Sequence, residues 1–238
     1  EVNLDATDQA TDTPTNNFAT LNPLATSSYM TLSEGNCSVT GNSASDAGET
    51  FATMVPKAGK WYAEFEVGGV NGNGNPKIGV QQELSGFQLN NDGSTFAGSS
   101  AYGAAYRPDG KLHTNNASTS VVYNTYTTND IISIAIDCDN GAAYAAKNGT
   151  WEDSSDPESG ASKTNAMVTW TAAQAEYLGQ TFGLSTYEAA TIVNANFGGC
   201  PAFAISSGNA DADGYGNFEY APPSGYYALC TKNLAEYG

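Results

Sequence analysis

Basic residues are scarce in this 238-residue chain: eight Lys and Arg stand against 25 Asp and Glu, a formal net charge of −17. A surface of that sign repels phosphate backbones and anionic headgroups, which argues against nucleic-acid binding through a basic face and against docking on acidic membranes. The plain reading of the charge is solubility. No apolar run approaches the ~18 residues that a spanning helix needs, and no signal-peptide pattern opens the chain. The first residue is Glu1 rather than Met, which leads us to expect a processed chain or an excerpt from a longer one. There is one histidine, His113, in "DGKLHTNN", and its turn-rich setting predicts a surface position. Gly-x-Ser-x-Gly, Gly-x-x-x-x-Gly-Lys and His-Glu-x-x-His are all missing, which removes the usual signatures of hydrolase, phosphate-binding and zinc-protease chemistry. The four cysteines (Cys37, Cys138, Cys200, Cys230) form no CxxC pair, which excludes the common zinc and redox spacings. Their even number allows two disulfides, and isolated, strand-embedded thiols are the simpler expectation.

What the chain does contain is a series of short strand-like runs between Gly, Asn, Asp and Pro clusters, the pattern of an all-β sandwich. In "KWYAEFEV" (60–67), Trp61, Ala63, Phe65 and Val67 share one face, and Tyr62, Glu64 and Glu66 the other. "DIISIAIDCD" (130–139) is apolar on both faces through Ile136 and reads as a doubly covered central strand. Trp61, Phe65, Ile132, Ile134 and Ile136 are the expected core. Asn-Gly pairs at 140–141 and 148–149 predict a three-stranded meander over 130–152, because tight hairpins need positive φ. "KIGVQQ" (77–82) and "TIVNANFG" (191–198) are further strands, and only "TAAQAEYL" (171–178) has a helical composition. Residues 1–17 carry just Val2 and Leu4 as sizeable apolar groups. They read as an arm or linker that packs on its own sandwich, a neighbouring copy or another protein. Residues 18–234 form the sandwich and 235–238 the start of a linker to a further domain.

The order of "GKWYAEFEV" (59–67), "KIGV" (77–80), "YGAAYRPDGKLH" (102–113), "NDIISIAIDCDNGAAYAAKNGTW" (129–151) and "NANFGG" (194–199) resembles the SPRY domain, a concanavalin A-like antiparallel β-sandwich. A closer likeness is to SPRY-like segments of structural proteins in tailed bacteriophages. It is carried by "TDTPTNNFATLNPL" (11–24), "KNGTWEDSSDPESGAS" (147–162) and "GNFEYAPPSGYYALCTKNL" (216–234). The resemblance implies a virion surface component of the tail fibre, head fibre or capsid decoration type. Its implied partners are other virion proteins, further copies of the chain, and a host-surface glycan or protein, with no nucleic acid and no membrane.

Three groups of residues are candidates for chemistry. Glu64 and Glu66 alternate on one strand, as carboxylates do in concanavalin-like glycoside hydrolases. The third acid of that series is missing, however, because the strand continues Val67-Gly68-Gly69, and a solvated face is the better reading. Tyr102 and Tyr106, with Ala104 between them, would share a side of an extended strand and leave rings open to stack on a sugar or a partner side chain; a core or inter-sheet tyrosine pair is the better reading. "DADGYGNFEY" (211–220) imitates a calcium loop. Counted from Asp211, Asp213 and Gly216 fit the pattern, but Tyr215 and Pro222 fall where ligands belong. The stretch therefore reads first as a polar turn, and second as a site where Asp211 and Asp213 hold a structural cation such as calcium through carbonyls and waters. No other cofactor is implied. Three Asn-x-Ser/Thr sequons (Asn36, Asn116, Asn148) carry no expectation of glycosylation in a phage. The function read from the sequence is a non-enzymatic structural and interaction module. A carbohydrate-binding lectin is the alternative, and a glycoside hydrolase the weakest reading.

Overall fold

A computed structural model describes residues 12–43, 45–71, 75–82, 97–171, 174 and 179–238. Most of the expected arm (1–11) and most of the helical stretch at 171–178 lie outside these residues. The first strands are β1 (Leu21–Thr26), β2 (Met30–Ser33), β3 (Ser38–Gly41), β4 (Ala47–Ala52), β5 (Lys60–Gly69) and β6 (Lys77–Gln82). Then come β7 (Ala104–Tyr106), β8 (Lys111–Thr114), β9 (Ala117–Val121), β10 (Ile131–Asp137), β11 (Ala142–Lys147) and β12 (Thr150–Trp151). β13 (Val168–Thr169), β14 (Gln180–Tyr187), β15 (Ile192–Asn196), β16 (Tyr227–Ala228) and a terminal helix α1 (Thr231–Tyr237) complete the described chain.

These strands form two sheets. One runs β1-β4-β14-β6-β7-β8-β9; the other runs β12-β11-β10-β5-β15-β3-β2, with β13 beside β11 and β16 beside β5. Their inner faces meet in one apolar core that contains Trp61, Phe65, Ile132, Ile134 and Ile136. Phe65 of one sheet packs 6.1 Å from Phe182 of the other and edge-on to Phe197 at 5.8 Å. The protein is an all-β sandwich, and the alternation at 60–67 places the inner face of β5 as expected.

The meander over 130–152 is present, but its two Asn-Gly turns differ. Lys147 pairs with Thr150 across a two-residue turn in which Asn148 (φ 48°) and Gly149 (φ 79°) are both left-handed. Asp137 pairs with Ala142, so the first connection spans 138–141. There the Asp137 carboxylate accepts the Asn140 backbone N–H at 2.9 Å and its amide at 2.8 Å, and only Gly141 has positive φ.

The outer face of β5 departs from the sequence expectation. Tyr62, Ala135 and Tyr144 stand in one cross-strand row, large-small-large, and form a trough. Phe18, Phe218, Tyr226, Ala228 and Cys230 pack into a second apolar cluster with this row. Phe218 meets Tyr62 edge-on at 5.0 Å. The chain beyond β15 therefore lies over the nine-stranded sheet, and Glu64 beneath it is 0% exposed, where the strand pattern suggested a solvated face. Its Oε1 accepts the Tyr220 N–H (2.7 Å) and the Tyr62 hydroxyl (3.0 Å). Its Oε2 accepts the Glu219 N–H (2.8 Å) and the Asn196 amide (3.4 Å). Burial pushes the Glu64 carboxyl above its ordinary range, and these donors pull it part of the way back.

The same crossing joins the ends of the described chain. Phe18 bridges Cys230, and Asn17 exchanges bonds with Thr231. Cys230 gives α1 no side-chain cap, and Asn16 Oδ1 accepts the Lys232 N–H at 3.2 Å in its place. A Cβ on Gly199 would meet the Phe18 side chain at 2.5 Å, so the close approach requires glycine there. Residues 235–237, expected to begin a linker, form the last turn of α1, and Leu234 and Tyr237 pack against the core.

The outer face of the seven-stranded sheet also holds buried polar groups. Ser185 pairs with both Glu49 and Lys77, and Ala105 pairs with both Gly79 and His113. His113 is 6% exposed, which corrects its expected surface position. Burial, then Lys77 and Arg107 nearby, lower its pKa from 6.5 to about 4. Burial and Arg107 likewise bring Lys77 down to about 7.

Two expectations follow from this packing. Glu64→Leu should strand the buried N–H groups of Glu219 and Tyr220 at about 1–3 kcal/mol each. Urea unfolding should show that loss, and a variant as stable as the parent would remove Glu64 as the anchor. His113 binds its proton less tightly folded than unfolded, so its contribution is full above pH 6.5 and is lost as pH falls toward about 4. Melting temperature measured across that window should fall less steeply in His113→Gln than in the parent.

Candidate functional site

Beside the β11–β12 hairpin the chain forms an open cleft of about 400 Å³, lined by Asn124, Thr125, Lys147, Asn148, Thr150 and Glu152. Asn124, Thr125, Asn148 and Thr150 are exposed, whereas Glu152 is buried. The two-residue turn explains the side of the cleft formed by 147–150, because its left-handed Asn148 and Gly149 reverse the chain within two residues.

Below the lining, each polar group has a partner. Glu152 Oε2 accepts the backbone N–H (2.9 Å) and side-chain amide (3.0 Å) of Asn124, and its Oε1 lies 3.1 Å from the Tyr106 hydroxyl. That hydroxyl also bonds the Asn124 carbonyl. Asn148 Oδ1 accepts the Ile131 N–H at 2.8 Å, and its amide donates to Asp130 at 2.7 Å. Lys147 Nζ donates to the Thr125 carbonyl at 2.7 Å and pairs with Asp130 at 3.1 Å. Partial burial works against the Asp130 charge, but the Thr127 N–H, Asn148 and Lys147 hold its carboxyl below the usual range. The cleft thus presents amides and hydroxyls above the Lys147–Asp130 ion pair and the hydrogen-bonded Glu152 carboxylate. Such a surface can exchange hydrogen bonds with a peptide backbone or a sugar.

Both tyrosines singled out in the sequence pack against the core, Tyr106 within it and Tyr102 at its margin. Tyr106 lies in the core with Tyr123 and Tyr126 edge-on at 5.0 and 4.8 Å, and burial pushes its phenol pKa up. It has no open ring, because its strand face is the inner face of the sandwich; its hydroxyl instead supports the cleft from behind. Tyr102 precedes β7 and is half-buried, and its hydroxyl accepts the Gln174 amide at 2.5 Å. The pair offers no stacking platform.

Asp211 and Asp213 are likewise occupied. Asp211 Oδ1 accepts the N–H groups of Asp213 (3.0 Å) and Tyr215 (2.9 Å), which is the bonding of a side-chain-closed turn. Its Oδ2 accepts the Ala228 N–H (2.9 Å) and the Asn233 amide (2.8 Å), tying that turn to β16 and α1. Asp213 Oδ2 accepts the Tyr237 hydroxyl at 2.9 Å. Protein donors thus engage both oxygens of Asp211 and one oxygen of Asp213. Among the described residues no group of three or more His, Cys, Asp or Glu side chains is arranged to hold a metal. Sequence reasoning missed Glu152 and Asn124, which lie far apart in the chain and carry no motif.

No protein-family profile matches the chain, and no curated protein matches it. Solved structures do. The SPRY domain of human HERC1 superposes with a TM-score of 0.53 at 15% identity, over 77% of this chain and 99% of that domain. A second human SPRY domain gives a TM-score of 0.51 at 13% identity, over 70% of this chain and 94% of its own. At such identities the likeness is one of architecture. The chain has the fold of SPRY domains.

Proposed function

We propose that the chain is a non-enzymatic interaction module on the surface of a bacteriophage particle, part of a fibre or capsid decoration, whose rim cleft receives a protein or host-surface ligand. The observation that carries this reading is the construction of the cleft: exposed Asn124, Thr125, Asn148 and Thr150 over buried groups that bond to one another. Buried acids support the non-catalytic half of the proposal, because Glu64, Asp137, Glu152 and Asp211 each hold a loop through hydrogen bonds. The likeness of the folds to SPRY domains supports a binding role by analogy. The virion assignment rests on the sequence resemblance at 11–24, 147–162 and 216–234. Its partners are then other virion proteins, copies of itself among them, with nucleic acid and membranes disfavoured by the charge of −17.

A carbohydrate ligand is the second reading, favoured by the amide and hydroxyl lining of the same cleft. Displayed peptides and a bacterial glycan array, each tested against the purified chain, distinguish the two. Selected peptides should lose about tenfold in affinity, ~1.4 kcal/mol, when Thr150→Trp fills the cleft. Glycan binding lost in that variant, without peptide binding, would transfer the cleft to the lectin reading. Gold-labelled antibody against the chain should mark particles purified from a host that carries the gene. Particles left bare, with the chain found only in the soluble fraction, would overturn the virion assignment.

A further inference from the structure

Cys37 and Cys200 are not isolated as their spacing suggested. In the ladder, β15 pairs with β3, and the Ala195 N–H donates to the Cys37 carbonyl at 2.6 Å just before β3 begins. The Ala195 carbonyl in turn accepts the Ala202 N–H at 3.3 Å. A strand residue directs its N–H and C=O to the same neighbour, so 200–202 return along the edge of β15 that β3 leaves open. This places the Cys200 side chain against Cys37, and the two thiols are hydrogen-bonded. Both are free, Cys37 at 1% exposure and Cys200 half-buried. Phe18 lies against Gly199 next to the pair, where the two ends of the described chain cross.

We propose that Cys37 and Cys200 are a disulfide-forming pair that clamps the start of β3 to the chain leaving β15 once the protein meets an oxidising thiol–disulfide buffer. The co-reactant is a small-molecule disulfide such as oxidised glutathione. Cys200, the more accessible thiol, loses its proton to solvent and attacks that disulfide; one glutathione thiolate leaves and a mixed disulfide remains. Cys37 then gives up its proton, forms the S–S bond to Cys200 and expels the second glutathione. Two protein thiols are oxidised by two electrons, and one glutathione disulfide is reduced to two thiols. Burial, followed by the neighbouring Cys200 sulfur, pushes the Cys37 pKa up to about 12, which suits it to the second step rather than the first. The bond would close a loop longer than half the chain, and long closures restrict the unfolded state most.

The test is to incubate the folded, fully reduced chain with oxidised glutathione, quench it in acid, and map thiols and cross-linked peptides by mass spectrometry. The expected product is two hydrogens lighter, contains a Cys37–Cys200 peptide pair with Cys138 and Cys230 still labelled as thiols, and melts roughly 5–10 °C higher until reductant is added. Cys200→Ser, with circular dichroism matching the parent, should keep its remaining thiols and show no thermal shift. The pairing is overturned by glutathione held on Cys200 as a stable adduct, by a cross-link through Cys138 or Cys230, or by a thermal shift that persists in Cys200→Ser.

Discussion

The structure depends on one buried carboxylate beneath one crossing segment. The nine-stranded sheet has two apolar faces, and the second is covered by the chain's own continuation after β15. An irregular segment lying on a sheet carries backbone N–H groups into a dry contact, and each must find an acceptor there. Glu64 supplies it for Glu219 and Tyr220 with one carboxylate, at 2.8 and 2.7 Å. The shifts of both pKa and burial at Glu64 are consequences of this role. A charge is tolerated under the crossing because four donors surround it.

Asp211 repeats the solution one turn earlier. Its two oxygens hold the 211–215 turn on one side and β16 and α1 on the other. With Glu64 it fixes both ends of the segment that carries Phe218, so the aromatic ring enters the Tyr62–Ala135–Tyr144 trough in one orientation. The crossing then gives Phe18 a surface to lie on and Asn16 a helix to cap, which orders a strap whose composition alone buries little. Ordering such residues costs about 1–2 kcal/mol each in backbone entropy, and backbone pairing with Thr231 and Cys230 is what offsets it.

Local periodicity made the inner face of β5 and the doubly apolar β10 legible, because burial there follows from strand geometry. It made the outer face misleading. Tyr62-x-Glu64-x-Glu66 reads as solvent-facing by the rule that polar residues alternate outward, and nothing within ten residues announces a cover from 197–230. His113 misleads for the same reason: the stretch around it is turn-rich and mostly polar, whereas its neighbours in space are Lys77 and Ala105. The Asp211 turn was half legible. Its side-chain-closed geometry is local, but the Ala228 and Asn233 donors that exhaust its second oxygen are not. Cleft residues were the least visible, since Asn124 and Glu152 acquire meaning only when the sheets bring loop 122–126 against the turn after β12.

That distribution bears on how the cleft can work. Of the residues that face solvent there, Asn124, Thr125 and Asn148 lie on loops and Thr150 opens β12, and the groups that position them lie on or beside strands. Glu152 holds Asn124 through the backbone N–H as well as the amide, so the loop keeps its course even if the side chain at 124 changes. Asn148 is more constrained: it must accept a left-handed φ and also bond the Ile131 N–H and Asp130. Thr150 bears neither duty beyond its strand pairing with Lys147. Side chains at 125 and 150 can therefore change at little expense to folding, whereas 148 and 152 are fixed by the architecture. A rigid sandwich with substitutable positions on a fixed rim is what the proposed binding role requires physically, because the scaffold holds its shape while the side chains that face outward differ.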